Sequence, residues 1–188
     1  MKTSSWARRA TSRRAPVALA VAVALVGCGG AKGTVPADPP GVSVSARAAA
    51  RAPVDFSYDA VGEAPVTAEA TRGLPTVISF VTTSSLPSQA QADFLVAMSK
   101  HDGDRVHYIV VVLEQPENRE LVDLYKKALS IPFPVAIADA ETLVGAGAFG
   151  DVSAVPVNVL LDRAGRVVLR TEGRVVKSDE MRAAMKGL

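Results

Sequence analysis

A single cysteine, Cys28, serves a chain of 188 residues. With one sulfur the chain can close no internal disulfide, so its stability has to come from packing, and it cannot cycle a dithiol of its own. Histidine is nearly as scarce: His101 and His107 are the only two, which leaves few bases that could activate a serine. No apolar run reaches the ~20 residues a helix needs to cross a bilayer core. A phosphate loop is missing as well. Gly145-Ala146-Gly147-Ala148-Phe149-Gly150 has spaced glycines, but it follows a helical segment rather than a strand, the wrong context for a dinucleotide, and reads as a helix end.

The N-terminus carries positive charge and no acid: Lys2, Arg8, Arg9, Arg13 and Arg14 precede the apolar run Pro16 to Val26. Charge followed by a short apolar stretch is the signature of an export signal. The run ends in Leu25-Val26-Gly27-Cys28, which resembles the lipobox of bacterial lipoproteins. That resemblance implies removal of a signal peptide over 1–27 and acylation of Cys28, which would attach the chain to a membrane through more than one acyl chain. Gly29 is not the aspartate that signals inner-membrane retention in that family, which favours the outer membrane.

Much of the positive charge leaves with the signal, so the whole-chain net charge of +2 gives no reason to expect a nucleic-acid partner. Residues 28–53 are rich in Gly, Pro, Ala and Ser. They bury too little apolar surface to offset their ordering entropy and read as a flexible tether. Residues 54–188, without internal repeat or low-complexity tract, have the length of one ordinary domain.

Within that domain Pro75 to Val81 is a short β-branched run and reads as a buried strand. Ser88 to Lys100 reads as a helix, with Ser88 as N-cap behind Pro87. Val106 to Leu113 is the strongest strand signal, apolar enough for a central position. Asn118 to Leu129 reads as an amphipathic helix burying Leu121, Leu124, Tyr125 and Ala128. Val135 to Ala138 is a short strand and Glu141 to Ala146 a short helical segment. Val157 to Leu161 and Arg166 to Arg170 flank Asp162-Arg163-Ala164-Gly165 as a hairpin, with glycine where positive φ is required. Ser178 to Met185 reads as a capped closing helix. This order predicts a mixed α/β sandwich, a central mixed sheet flanked by helices.

The order and several local motifs resemble the thioredoxin-like proteins, in particular TlpA/ResA-type thiol-disulfide oxidoreductases of the redoxin superfamily. Gly73 to Phe80 is similar to the family's "GKPVLVNF" strand, Phe149 to Pro156 to "YGVRGVP", and Val159 to Val168 to "FLIDRDGRIV". The resemblance spans essentially all of 54–188 and implies a thioredoxin-like fold with a cis Pro156 facing the site. It breaks at the reactive centre. Where the family has Cys-x-x-Cys, this chain has Ser85-Leu86-Pro87-Ser88, and Ser79 stands where relatives often keep a buried carboxylate or amide. A peroxiredoxin reading fails at Ser85 too, which replaces the peroxidatic cysteine of Thr82-Thr83-Ser84-Ser85.

With both sulfurs absent the chain is expected to catalyse no thiol exchange. Serine hydrolysis is not expected, since His101 lies in a polar loop and His107 at the far end of a strand. Asp102 and Asp104 beside His101 read as an acidic surface turn rather than a metal site, and no metal or cofactor is expected. The leading expectation is a redox-inactive binding or scaffold lipoprotein on the periplasmic face of the cell envelope, taking an envelope protein or an extended peptide. Ser85, Val155 and Pro156 are its candidate binding residues, because in the family the backbone beside the cis proline pairs with an extended substrate; a turn on which the fold depends explains Val155-Pro156 equally well. Two alternatives remain open: retained thiol-substrate contact through Ser85 and the Pro156 groove, and a degenerate copy that completes a complex with an active paralogue.

Overall fold

The computed structural model describes residues 42–43 and 52–188. The export signal, Cys28 and most of the segment read as a tether lie outside the described residues.

Eight strands form the sheet in the order β1-β8-β7-β4-β5-β6-β2-β3. They are β1 Val42–Ser43, β2 Ser57–Ala60, β3 Val66–Thr67, β4 Thr76–Val81, β5 His107–Val112, β6 Val135–Ile137, β7 Val157–Leu161 and β8 Val167–Thr171. β4, β5 and β6 run parallel; β7, β8 and β1 extend the sheet antiparallel on one side, and β2 and β3 on the other. The predicted mixed α/β architecture is therefore what the chain forms. β1 falls within the 28–53 segment and pairs Val42 with Thr171.

Because side chains alternate across a strand, the central strands feed two apolar layers. On one face Val77, Val110, Val112 and Leu160 pack with Leu95 and Met98 of α1 (Leu86–Asp102) and Met181 of α4 (Ser178–Met185). On the other, Ile78, Phe80, Val111 and Val159 meet an aromatic cluster of Phe56, Tyr58 and Phe149. Burial pushes the Tyr58 hydroxyl up to about 12, against a hydrogen bond to Thr142. Coverage on both faces is why β4 and β5 are apolar over most of their length, with Ser79 the polar residue in the middle of β4.

Three expectations need correction. α2 (Arg119–Ala128) buries Val122 and Tyr125 and leaves Leu121 and Leu124 exposed by 43% and 56%. Of the predicted stripe only Tyr125 faces the core, Ala128 being exposed as well, and Val122 three positions earlier completes the buried i, i+3 pair. α4 starts after Lys177, whose side chain makes no capping hydrogen bond. The segment after β6 is a single turn, α3 (Ala140–Leu143), capped by Asp139. The hairpin is as expected: Gly165 has φ +77°, and a Cβ there would collide with the Arg72 guanidinium.

At the lower end of the sheet the Tyr108 hydroxyl donates to Asp102 Oδ2 at 2.5 Å, and His101 Nδ1 lies 2.8 Å from Asp102 Oδ1. Burial raises the Asp102 carboxyl, but Tyr108, His101 and Arg182 together outweigh it and hold it below the usual carboxylate range. A depressed folded-state pKa adds stability above the unfolded value of ~4, and this is lost as pH falls through the folded value. Tyr108→Phe should therefore cost about 2 kcal/mol at neutral pH, the scale of a hydrogen bond to a charged group. The gap from the parent should narrow in acid. Urea midpoints at both pH values check this, and a pH-independent gap would remove Asp102 from the account.

Candidate functional site

β4 ends at Val81, and the chain turns through Thr82, Thr83 and Ser84 into α1. The helix begins one turn earlier than the sequence suggested. Ser85, with φ −93° and ψ 121°, is the N-cap, and its Oγ accepts from the Ser88 N–H at 3.4 Å. Pro87 then sits within the first turn, where a missing N–H costs no helical bond. Ser88 is thus an interior first-turn residue, fully buried, with Oγ accepting from the Thr82 N–H at 3.3 Å. Ser85 is half-buried, and Leu86 beside it is 77% exposed.

Register places the second half of the site. Phe80 pairs with Val157 across the antiparallel β4–β7 ladder, so the segment before β7 emerges at the same end of the sheet as the turn after β4. The Val155–Pro156 peptide bond is cis, as the resemblance implied. Pro156 is buried and Val155 half-buried. The Val155 N–H donates to Ser153 O at 3.1 Å, and Ala154 O accepts from the Gly173 N–H at 2.7 Å. An extended segment pairing beside Pro156 would therefore have to use the Val155 carbonyl or open the Ser153 turn. The turn after β4 is braced from the side: Thr83 donates to Glu114 Oε1 at 2.8 Å, Asn118 to Glu114 Oε2 at 2.9 Å, and Gln89 to Thr83 O at 3.2 Å.

Beneath α1 lies a buried polar network that the sequence reading missed. The Ser79 hydroxyl donates to Asn158 Oδ1 at 2.9 Å; Asn158 Nδ2 donates to Gln91 Oε1 at 3.3 Å and Thr171 Oγ1 at 3.4 Å. Gln91 in turn accepts from the Val176 N–H at 2.7 Å and donates to Val176 O at 3.3 Å. Ser79, Gln91 and Asn158 are fully buried, and Thr171 is 1% exposed. Ser79 is thus not bare: its amide partner comes from the neighbouring strand. The one available signal was Asn158 itself, a lone amide inside the apolar β7.

The histidines sit elsewhere. His107 pairs with Thr76 at the opposite end of β4 from Ser85. His101 belongs to the last turn of α1 rather than to a loop, with its side chain 67% exposed. Neither can serve as base to Ser85. Among the described residues no three His, Cys, Asp or Glu side chains are placed to hold a metal ion, and no helix is long and apolar enough to cross a membrane.

No protein-family model and no curated protein matches the chain. Solved structures do. A DsbF homologue from Corynebacterium diphtheriae aligns with TM-score 0.65 at 18% identity, over 74% of this chain and 88% of its own. StoA from Bacillus subtilis aligns with TM-score 0.57 at 18% identity, over 71% and 98%. A secreted Mycobacterium tuberculosis disulfide oxidoreductase, described as homologous to E. coli DsbE, aligns with TM-score 0.58 at 15% identity, over 71% and 96%. The class defined by sheet order, helix placement and cis proline is the thioredoxin-like fold. Within that class the structures it resembles include secreted thiol-disulfide oxidoreductases, and at these identities the likeness is one of fold.

Proposed function

We propose that the mature chain is a cell-envelope lipoprotein, attached through acyl groups on Cys28, whose thioredoxin-like domain binds or scaffolds an envelope protein or extended peptide without performing thiol-disulfide exchange. One observation carries the reading. Ser85 and Ser88 occupy the N-terminal turn of α1, where the resemblance puts a dithiol, and no cysteine follows Cys28. A hydroxyl stays protonated at neutral pH and forms no mixed disulfide, so the fold keeps its site without its reagent. The secreted character of similar proteins supports an extracytoplasmic place, and Gly29 favours the outer membrane.

Purified mature protein should leave dithiothreitol-driven insulin reduction and peroxide consumption at background; turnover in either assay overturns the redox-inactive reading. The anchor is tested separately: Cys28→Ser should move the protein from the outer-membrane fraction to the soluble periplasm.

A second reading draws on the half-buried Ser85 hydroxyl at the helix N-cap, open to one side. There it would position a thiol supplied by a partner or by glutathione. Glutathione binding abolished in Ser85→Val would favour that reading over the scaffold.

A further inference from the structure

At the pole opposite Ser85, four cations from three separate elements surround one cleft of about 370 Å³. Arg105 comes from the turn after α1, Arg163 from the β7–β8 turn, Arg182 from α4, and Lys186 directly follows α4. All four are exposed, and among the described residues none has a carboxylate within ion-pair distance. Arg105 donates only to neutral backbone oxygens, Asp102 O at 3.0 Å and His101 O at 3.1 Å. The one acidic side chain lining the cleft, Asp102, is engaged by Tyr108 and His101 and also feels the charge of Arg182, so a single side-chain carboxylate faces four cations.

An excess of like charge gathered around one opening raises the local potential, and a fold gains nothing from that repulsion unless a further anion relieves it. The floor is different in character. Val106 and Met185 are half-buried and line the same cleft. A cationic rim over an apolar floor fits an amphiphilic anion, with phosphate on the guanidinium groups and hydrocarbon below. A small free anion would use only the rim.

We infer that this basic cleft is a docking surface for the anionic phospholipid headgroups of the membrane that holds the chain. The inference rests on the anchored reading for one point, that a bilayer is always near. The 13 residues between Cys28 and β1, residues 29–41, let the chain extend to at most about 50 Å. Held within that radius, even a weak electrostatic contact is made intramolecularly and at high effective concentration. Docking would turn the basic pole to the lipid and leave the Ser85–Pro156 end directed away from the surface, open to an envelope partner.

The test uses the chain from residue 28 onward with Cys28→Ser, which cannot be acylated, so that binding reports the cleft alone. It should co-sediment with vesicles of phosphatidylglycerol in phosphatidylcholine but not with phosphatidylcholine alone, and high salt should release it. Arg163→Glu with Arg182→Glu should weaken partition about tenfold or more, while Lys127→Glu, on the remote α2, should change it little. Circular dichroism on each variant, and Arg163→Lys with Arg182→Lys retaining binding, separate charge from folding. Three results overturn the inference: no binding to the anionic vesicles, equal loss in Lys127→Glu, or displacement by polyglutamate or inorganic phosphate at an ionic strength where chloride has no effect. None of them bears on the anchor, which is read from fractionation of the unmodified chain.

Discussion

Gln91→Leu is expected to lower stability by about 3 kcal/mol, and the unfolding midpoint by roughly 10 °C. The change conserves side-chain size and adds apolar surface, so on volume alone it would be nearly neutral. The hydrogen bonds decide otherwise. Gln91 satisfies both the N–H and the C=O of Val176 and accepts from Asn158. All of these lie where water does not reach, since Gln91, Asn158 and Val176 are fully buried. Each buried group left without a partner costs ~1–3 kcal/mol, and the leucine's extra burial offsets only part of the sum. Adding Asn158→Leu should then cost less than it does in the parent, because one of its partners is already gone; a coupling of about 1 kcal/mol or more in the double-mutant cycle is expected. Chemical denaturation of the four proteins measures it. A loss below ~1 kcal/mol for Gln91→Leu would mean that the network is not a structural tie. If it is one, the consequence reaches the site, because Gln91 belongs to the helix that carries Ser85, and Asn158 follows Pro156 by two residues.

How far such features can be read ahead depends on whether their cause is local. β4 and β5 announce themselves by continuous β-branched runs, and the β7–β8 hairpin by Gly165, because composition and turn chemistry act within a few residues. β2 does not. Ser57–Ala60 is four residues alternating exposed and buried at the far side of the sheet, and it becomes a strand by pairing with β6, nearly eighty positions away. The displaced α1 cap has a subtler origin: Pro87 is compatible with a place just before the cap or at the second helical position, and only the extended backbone at Ser85 settles which serine caps. The polar network is the extreme case. Ser79, Gln91, Asn158 and Thr171 carry no signal one by one beyond the lone amide in β7, and the register that sets Ser79 opposite Asn158 assembles them. The four cations of the lower cleft are likewise scattered over some eighty positions. Most of the fold was therefore legible. The motif positions at Ser85, Ser88 and Pro156 were legible too, while the support beneath them was not.

Restoring sulfur at those positions gives the largest functional change expected of this chain. Ser85→Cys with Ser88→Cys should raise dithiothreitol-driven insulin reduction from background to sustained turnover, and Ser85→Cys alone should yield a reactive thiol without turnover. The N-cap is the reason. A sulfur at position 85 would face the Ser88 N–H that the hydroxyl now accepts, at the positive end of a helix of 17 residues. Both features favour a thiolate, so the sulfur introduced by Ser85→Cys should alkylate with a pKa below the ordinary ~8.5. Position 88 lies one turn on and fully buried, a setting in which cysteine behaves as a small apolar residue. An outer sulfur that attacks and an inner one that resolves the mixed disulfide are the two parts that exchange requires. Iodoacetamide labelling across pH, alongside the insulin assay, checks both steps. A single-variant thiol with an ordinary pKa would show that the helix end no longer stabilises negative charge. A double variant with a low pKa but no turnover would place the defect downstream, at the Val155 N–H that Ser153 already occupies. In that case the chain has lost the groove that receives a substrate as well as the sulfurs, and Pro156 preserves a turn rather than a binding edge.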